Sequence, residues 1–123
     1  MSLVYAIVCA ASLAGGVAVD PALAAGTSEV DAGYSELAAG QNHLAIARLE
    51  QLRRDGEANP AVLVNLAAAY ERAGRFDLAR EIYAEVGAAE ELELQTGEGA
   101  WRSSHEIAEL GLARLERANF AAK

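Results

Sequence analysis

Cysteine is almost missing from this chain of 123 residues: Cys9 is the only one, so no disulfide can form within it. Positive charge is also short. Ten Lys and Arg stand against 18 Asp and Glu, for a net charge of −8, and a phosphate backbone calls for the opposite balance. The one cluster of bases, "RLEQLRR" at 48–54, is interrupted by Glu50, so nucleic acid is excluded as a partner. There are two histidines, His43 and His105, each near an expected helix start and without a second ligand at metal spacing. Ser103 and Ser104 are too close in sequence to His105 to act with it as nucleophile and base across a fold. Glu90, Glu91, Glu93 and Glu98 form an acidic run with no Asp-x-Asp-x-Asp loop, and read as a solvated face. "TGEGA" (96–100) lacks the lysine and spacing of a phosphate loop. No catalytic residue, cofactor or metal ligand is expected, and the protein reads as a non-enzyme.

What is present begins with an uncharged stretch, "SLVYAIVCAASLAGGVAV" (2–19). Asp20-Pro21 follows it, and then Ala22-Leu23-Ala24, a small-x-small pattern suited to a signal peptidase. Residues 1–24 are therefore expected to be a secretory signal peptide cut near Ala24, which makes the protein periplasmic or secreted. The alternative is an uncleaved anchor, residues 2–19 retained as a transmembrane helix in the inner membrane, since the run is near the lower limit for a span. Cleavage would leave a mature chain without any cysteine.

The remainder repeats itself. Gly40 recurs as Gly74, Ala45 as Ala79, Leu49 as Tyr83, Leu52 as Val86 and Gly33 as Ala67, always 34 residues apart. A glycine between two helical stretches ends the first by taking a left-handed conformation. An alanine where two helices cross lets their backbones approach. In "NPAVLVNLAAAYERAGRFDLAREIYAEV" (59–86), Asn59 is a suitable N-cap and Pro60 a suitable first helical residue. From Ala61 to Tyr70 only Asn65 is polar. Two apolar stripes, one through Leu63, Leu66, Ala67 and Tyr70 and one through Ala61, Val64 and Ala68, predict a helix covered on two sides.

On these residues the sequence resembles the tetratricopeptide repeat family. Leu63, Leu66, Ala67, Tyr70, Gly74, Phe76, Ala79 and Tyr83 fall on its large-small-large positions. The first copy (28–58) is degenerate, with Glu36 where tyrosine is usual and Asn42 where an aromatic is usual; the second (59–88) matches well. The resemblance, to a small secreted bacterial protein of this type, implies a non-catalytic module that binds another protein or a peptide. Carried onto this chain, the groove-facing positions are Ala61, Val64, Asn65, Ala68, Glu71 and Arg72. Only Asn65 fits the carboxylate clamp of the family, so the strip suits a helix or a hydrophobic segment better. The chain's own first repeat is the other candidate to cover it. An envelope protein is the expected partner, with the membrane involved only if the N-terminal segment stays.

After residue 88 the repeat stops. Alternation in "ELELQT" and the turn residues Gly97-Glu98-Gly99 predict a short β-hairpin, or a loop, within 89–103. Ser103 and Glu106 form a capping box before a last helix, 104–120, with Ile107, Leu110, Leu112 and Leu115 as its apolar side and Arg114 and Arg117 suiting the dipole at its end. Trp101 is expected over the junction of hairpin and helix, with a role as ligand anchor as the alternative. The fold class expected is mainly α: two stacked helix-turn-helix hairpins, a short β-hairpin and a C-terminal capping helix.

Overall fold

The structure is a computed structural model that describes residues 7–8, 34–96 and 99–121. Its elements in chain order are β1 (Ile7–Val8), α1 (Tyr34–Ala38), α2 (Asn42–Arg54), α3 (Pro60–Arg72), α4 (Phe76–Ala88), β2 (Glu93–Thr96), β3 (Trp101–Ser103) and α5 (Ser104–Ala121). The fold is mainly helical, with tetratricopeptide-like hairpin packing. Apart from Ile7 and Val8, the segment read as leader or membrane anchor lies outside the described residues. No described helix is long and apolar enough to cross a membrane.

The interval of 34 is written into the backbone. Gly40 and Gly74 have φ of 77° and 78°. Each closes its helix with the same pair of hydrogen bonds: Gly40 N–H to Leu37 O and Gln41 N–H to Glu36 O (3.1 and 2.8 Å), Gly74 N–H to Glu71 O and Arg75 N–H to Tyr70 O (3.1 and 2.8 Å). That is the six-to-one and five-to-two pattern of a Schellman ending, which an L side chain at the glycine would strain. Ala45 and Ala79 are both fully buried, one on each second helix, as a repeated close crossing requires. The Asn59 side chain accepts from Val62 N–H at 3.0 Å and Pro60 opens α3, so the start signal acts as expected.

α3 is the centre. Every residue from Ala61 to Ala69 is buried, because the helix meets α2 and α4, α1 and α5, and also β1. Leu63, Leu66 and Ala67 join Ala79, Ile82, Tyr83 and Val86 of α4 in one core that continues through Leu94 to Ile107, Ala108 and Leu115 of α5. α5 packs on α4 where a third hairpin would begin, and so closes the array.

The β-hairpin is present, with Leu94 opposite Arg102 and Gln95 opposite Trp101. It gains a strand that the sequence did not suggest. β1 lies parallel to β2, with Ile7 opposite Gln95 and Val8 opposite Thr96, so the sheet order is β1-β2-β3.

Two features of the last third differ from expectation. Leu110 is 45% exposed rather than part of the apolar side of α5. The buried face runs instead through Ser104, Ile107, Ala108, Gly111 and Leu115, with steps of three and four residues. Gly111 is there because Tyr83 takes the space: a Cβ on Gly111 would lie 2.5 Å from Tyr83 Cζ. The capping box is half formed. Glu106 N–H donates to Ser103 Oγ at 3.0 Å, but the Glu106 carboxylate accepts from Arg102 at 2.8 Å.

Candidate binding surface

The strip assigned to a groove, Ala61, Val64, Asn65 and Ala68, lies on one face of α3, where steps of three and four residues bring them together. All four are buried by the chain itself, and β1 runs beside this helix. Arg72 continues the same face, and its guanidinium donates to Leu37 O at 2.7 Å, a second bond to the carbonyl that Gly40 N–H already meets at the C-terminus of α1. The face is thus small, mostly apolar and in use within the chain.

The structure places Glu71 elsewhere. It sits one turn beyond Ala67, on the flank of α3 that faces α4 and α5. There Tyr83 Oη donates to Glu71 Oε1 at 2.9 Å. Arg114 of α5 donates to both carboxylate oxygens, from Nε at 3.1 Å and Nη2 at 3.2 Å, and Nη2 also reaches Tyr83 Oη at 3.3 Å. The Glu71 side chain is 8% exposed and that of Arg114 23%. Three helices are tied together by one acid, one base and one phenol. Arg114 is therefore a structural partner rather than a dipole charge, and it lies outside the last turn of α5.

Burial raises the pKa of the Tyr83 phenol well above its ordinary value, and the nearby Glu71 charge raises it further. Burial opposes the charge of Arg114, but the hydrogen bonds and charge attraction of Glu71 and Tyr83 together outweigh that and hold its pKa above the usual arginine value. The phenol carries a consequence for stability. A group whose folded pKa is raised contributes fully below its unfolded pKa, about 10 for tyrosine, and loses that contribution as pH rises through the folded value. The urea midpoint is expected to stay level up to about pH 10 on this account and to fall above it. Tyr70, raised by partial burial and by Glu50, adds a smaller fall in the same range. Replacing Tyr83 with phenylalanine should remove most of the alkaline slope; an unchanged slope would mean the phenol is already solvated.

Trp101 opens β3 and is 46% exposed, so it lines the outside of the hairpin and does not lie beneath it. His43 is exposed at the start of α2. His105 Nε2 lies 2.7 Å from Ala89 O and Nδ1 3.5 Å from Glu91 Oε2, which fastens the start of α5 to the end of α4. Ser104 does the same for the strand side, donating its N–H to Leu92 O at 2.7 Å and accepting Leu92 N–H on Oγ at 2.9 Å. Among the described residues no group of three or more His, Cys, Asp or Glu could hold a metal ion.

The sequence reading passed over the edge of β2 and the Glu71–Tyr83–Arg114 cluster. The first depends on a contact with residues 7–8, and the second joins positions from three elements; no local pattern marks either. No curated protein and no solved structure matches this chain. The family model for the tetratricopeptide repeat matches residues 36–95. That stretch begins in α1 and ends in β2, so it takes in both glycine-ended helical turns. The match and the repeated geometry together support a tetratricopeptide-repeat identity for this region, in a family whose members typically bind other proteins or peptides.

Proposed function

We propose that the protein is a non-catalytic adaptor of the bacterial cell envelope, exported by residues 1–24 and binding another envelope protein through the inner face of α3. The observation that carries this reading is the mostly apolar strip Ala61, Val64, Asn65 and Ala68 on a tetratricopeptide-type helix, with a strand of the leader segment beside that helix. Removing the leader takes away a neighbour of α3 and leaves small apolar positions open to a partner. Exposed apolar area of that kind, rimmed by polar residues, is what protein-binding faces share. The net charge of −8 keeps such a surface soluble and discourages nucleic acid.

The test combines processing with contact. The mass of the protein from the envelope fraction is expected to correspond to a start at Ala25. A photo-crosslinking residue at Val64 or Ala68 should capture a discrete envelope protein, and one at the exposed Glu81 on α4 should not. A retained N-terminus, with crosslinking at Val64 no greater than at Glu81, would overturn the proposal.

A further inference from the structure

The two edges of β2 are used differently. β3 takes one edge through the hairpin: Thr96 N–H donates to Ala100 O at 2.8 Å, and Gly99 N–H donates to Thr96 O at 2.9 Å. Backbone groups alternate along a strand, so those of Glu93 and Gln95 are directed to the opposite edge. There β1 lies parallel, although it is only two residues long and comes from an uncharged stretch far earlier in the chain. Strand pairing at that edge does not depend on a turn or a neighbouring sequence. With β1 displaced, any extended segment of suitable chemistry would find the same row of backbone groups.

A second observation concerns what that segment should carry. Thr96 is buried, and among the described residues its hydroxyl has no hydrogen-bond partner. The residue in register with it is Val8, a type that has no group to offer. Burying a hydroxyl unpaired is unfavourable, and a serine or threonine in that register would remove the deficit.

We propose that the edge of β2 now held by β1 is a strand-addition site. It takes an extended, uncharged, aliphatic segment of a partner protein, parallel to β2 and with serine or threonine opposite Thr96. Residues Ile7 and Val8 are its placeholder. This rests on the reading of the α3 face as a protein-binding surface and specifies how the partner is held. Main-chain bonds to Glu93 and Gln95 supply affinity, and the position facing Thr96 supplies selectivity.

The test uses the full chain with Ile7→Asp and Val8→Asp, which opens the edge without requiring cleavage. The probes are a lysine-flanked peptide of residues 4–10, VYAIVCA, and the same peptide with Val8→Thr. Titration followed by amide NMR is expected to move Glu93 and Gln95 and to slow their hydrogen exchange. The threonine peptide should bind about three- to tenfold more tightly, the range one added buried hydrogen bond provides. Adding Gln95→Pro, which deletes an N–H on the open edge only, should abolish binding and leave the helical circular dichroism intact. If the double aspartate chain is unfolded, the wild-type chain is titrated instead, where the peptides compete with β1 and the same order of affinities is expected.

Saturable binding that leaves Glu93 and Gln95 unmoved would overturn strand addition while leaving the adaptor reading standing. Equal affinities of the two peptides, no binding by either, or a dimer formed through β2 and seen as a doubled mass would also overturn it. Crosslinking from Val64 judges the adaptor reading separately.

Discussion

Glu71→Ala should lower stability by about 3 kcal/mol, measured as a shift of the urea midpoint at constant slope. The carboxylate is 8% exposed and accepts three hydrogen bonds, so its removal leaves the Tyr83 phenol without its acceptor and the Arg114 guanidinium with only the Tyr83 oxygen at 3.3 Å. Breaking a buried pair by deleting one partner costs about 3–5 kcal/mol, because the surviving charge stays desolvated. Arg114 retains 23% exposure and can recover part of its hydration, which puts the expectation at the lower end. Replacing both charges with apolar residues of similar size and the phenol with its ring alone, Glu71→Leu with Arg114→Met and Tyr83→Phe, should recover most of the loss, since no charge or hydroxyl is then buried unpaired. A loss below about 1 kcal/mol for Glu71→Ala would show that the cluster behaves as a surface pair.

That cluster also marks the limit of what was legible in the sequence. The repeated hairpin was readable because its determinants are local. Gly40 and Gly74 end helices by a backbone conformation that other residues avoid, and Ala45 and Ala79 mark crossings by their size alone. The N-cap at Asn59, the hairpin around Gly99 and the half capping box at Ser103 were legible for the same reason. Glu71 was not. Its helical position lies at the border between two faces of α3, and only Tyr83 and Arg114, from other elements, decide which side it serves. The third strand was invisible too, because the pairing of Ile7 with Gln95 joins distant segments and leaves no period in the sequence. The strip Ala61, Val64, Asn65 and Ala68 was recognised as a face, but the pattern of small apolar residues does not reveal what lies against it.

The side of α5 that meets α4 was misjudged for a related reason. Counting large aliphatic residues favours Leu110, whereas the space beside α4 is already filled by an aromatic ring and calls for the smallest residue. The repeat itself contains the cause. Leu49 in the first hairpin becomes Tyr83 in the second, and the larger ring projects toward whatever packs next.

This makes Gly111→Ala the second large effect. Gly to Ala inside a helix ordinarily stabilises by up to about 1 kcal/mol. At this position the new Cβ would stand 2.5 Å from Tyr83 Cζ and 2.7 Å from both Cε atoms, separations at which something must move. The ring cannot swing aside freely, since it is buried and its hydroxyl is held by Glu71 and Arg114. Overpacking a buried site costs about 1–3 kcal/mol, and displacing the ring loosens the cluster as well, so a net loss of about 2 kcal/mol is expected. Tyr83→Leu, which restores the residue type of the first hairpin, removes the obstruction. The double variant Gly111→Ala, Tyr83→Leu should therefore be more stable than the sum of the two single losses predicts, with a favourable coupling of about 1 kcal/mol or more in a double-mutant cycle. Strict additivity, or a Gly111→Ala chain more stable than the natural one, would mean that α5 does not press against α4 through Gly111 and that the array is closed by other contacts.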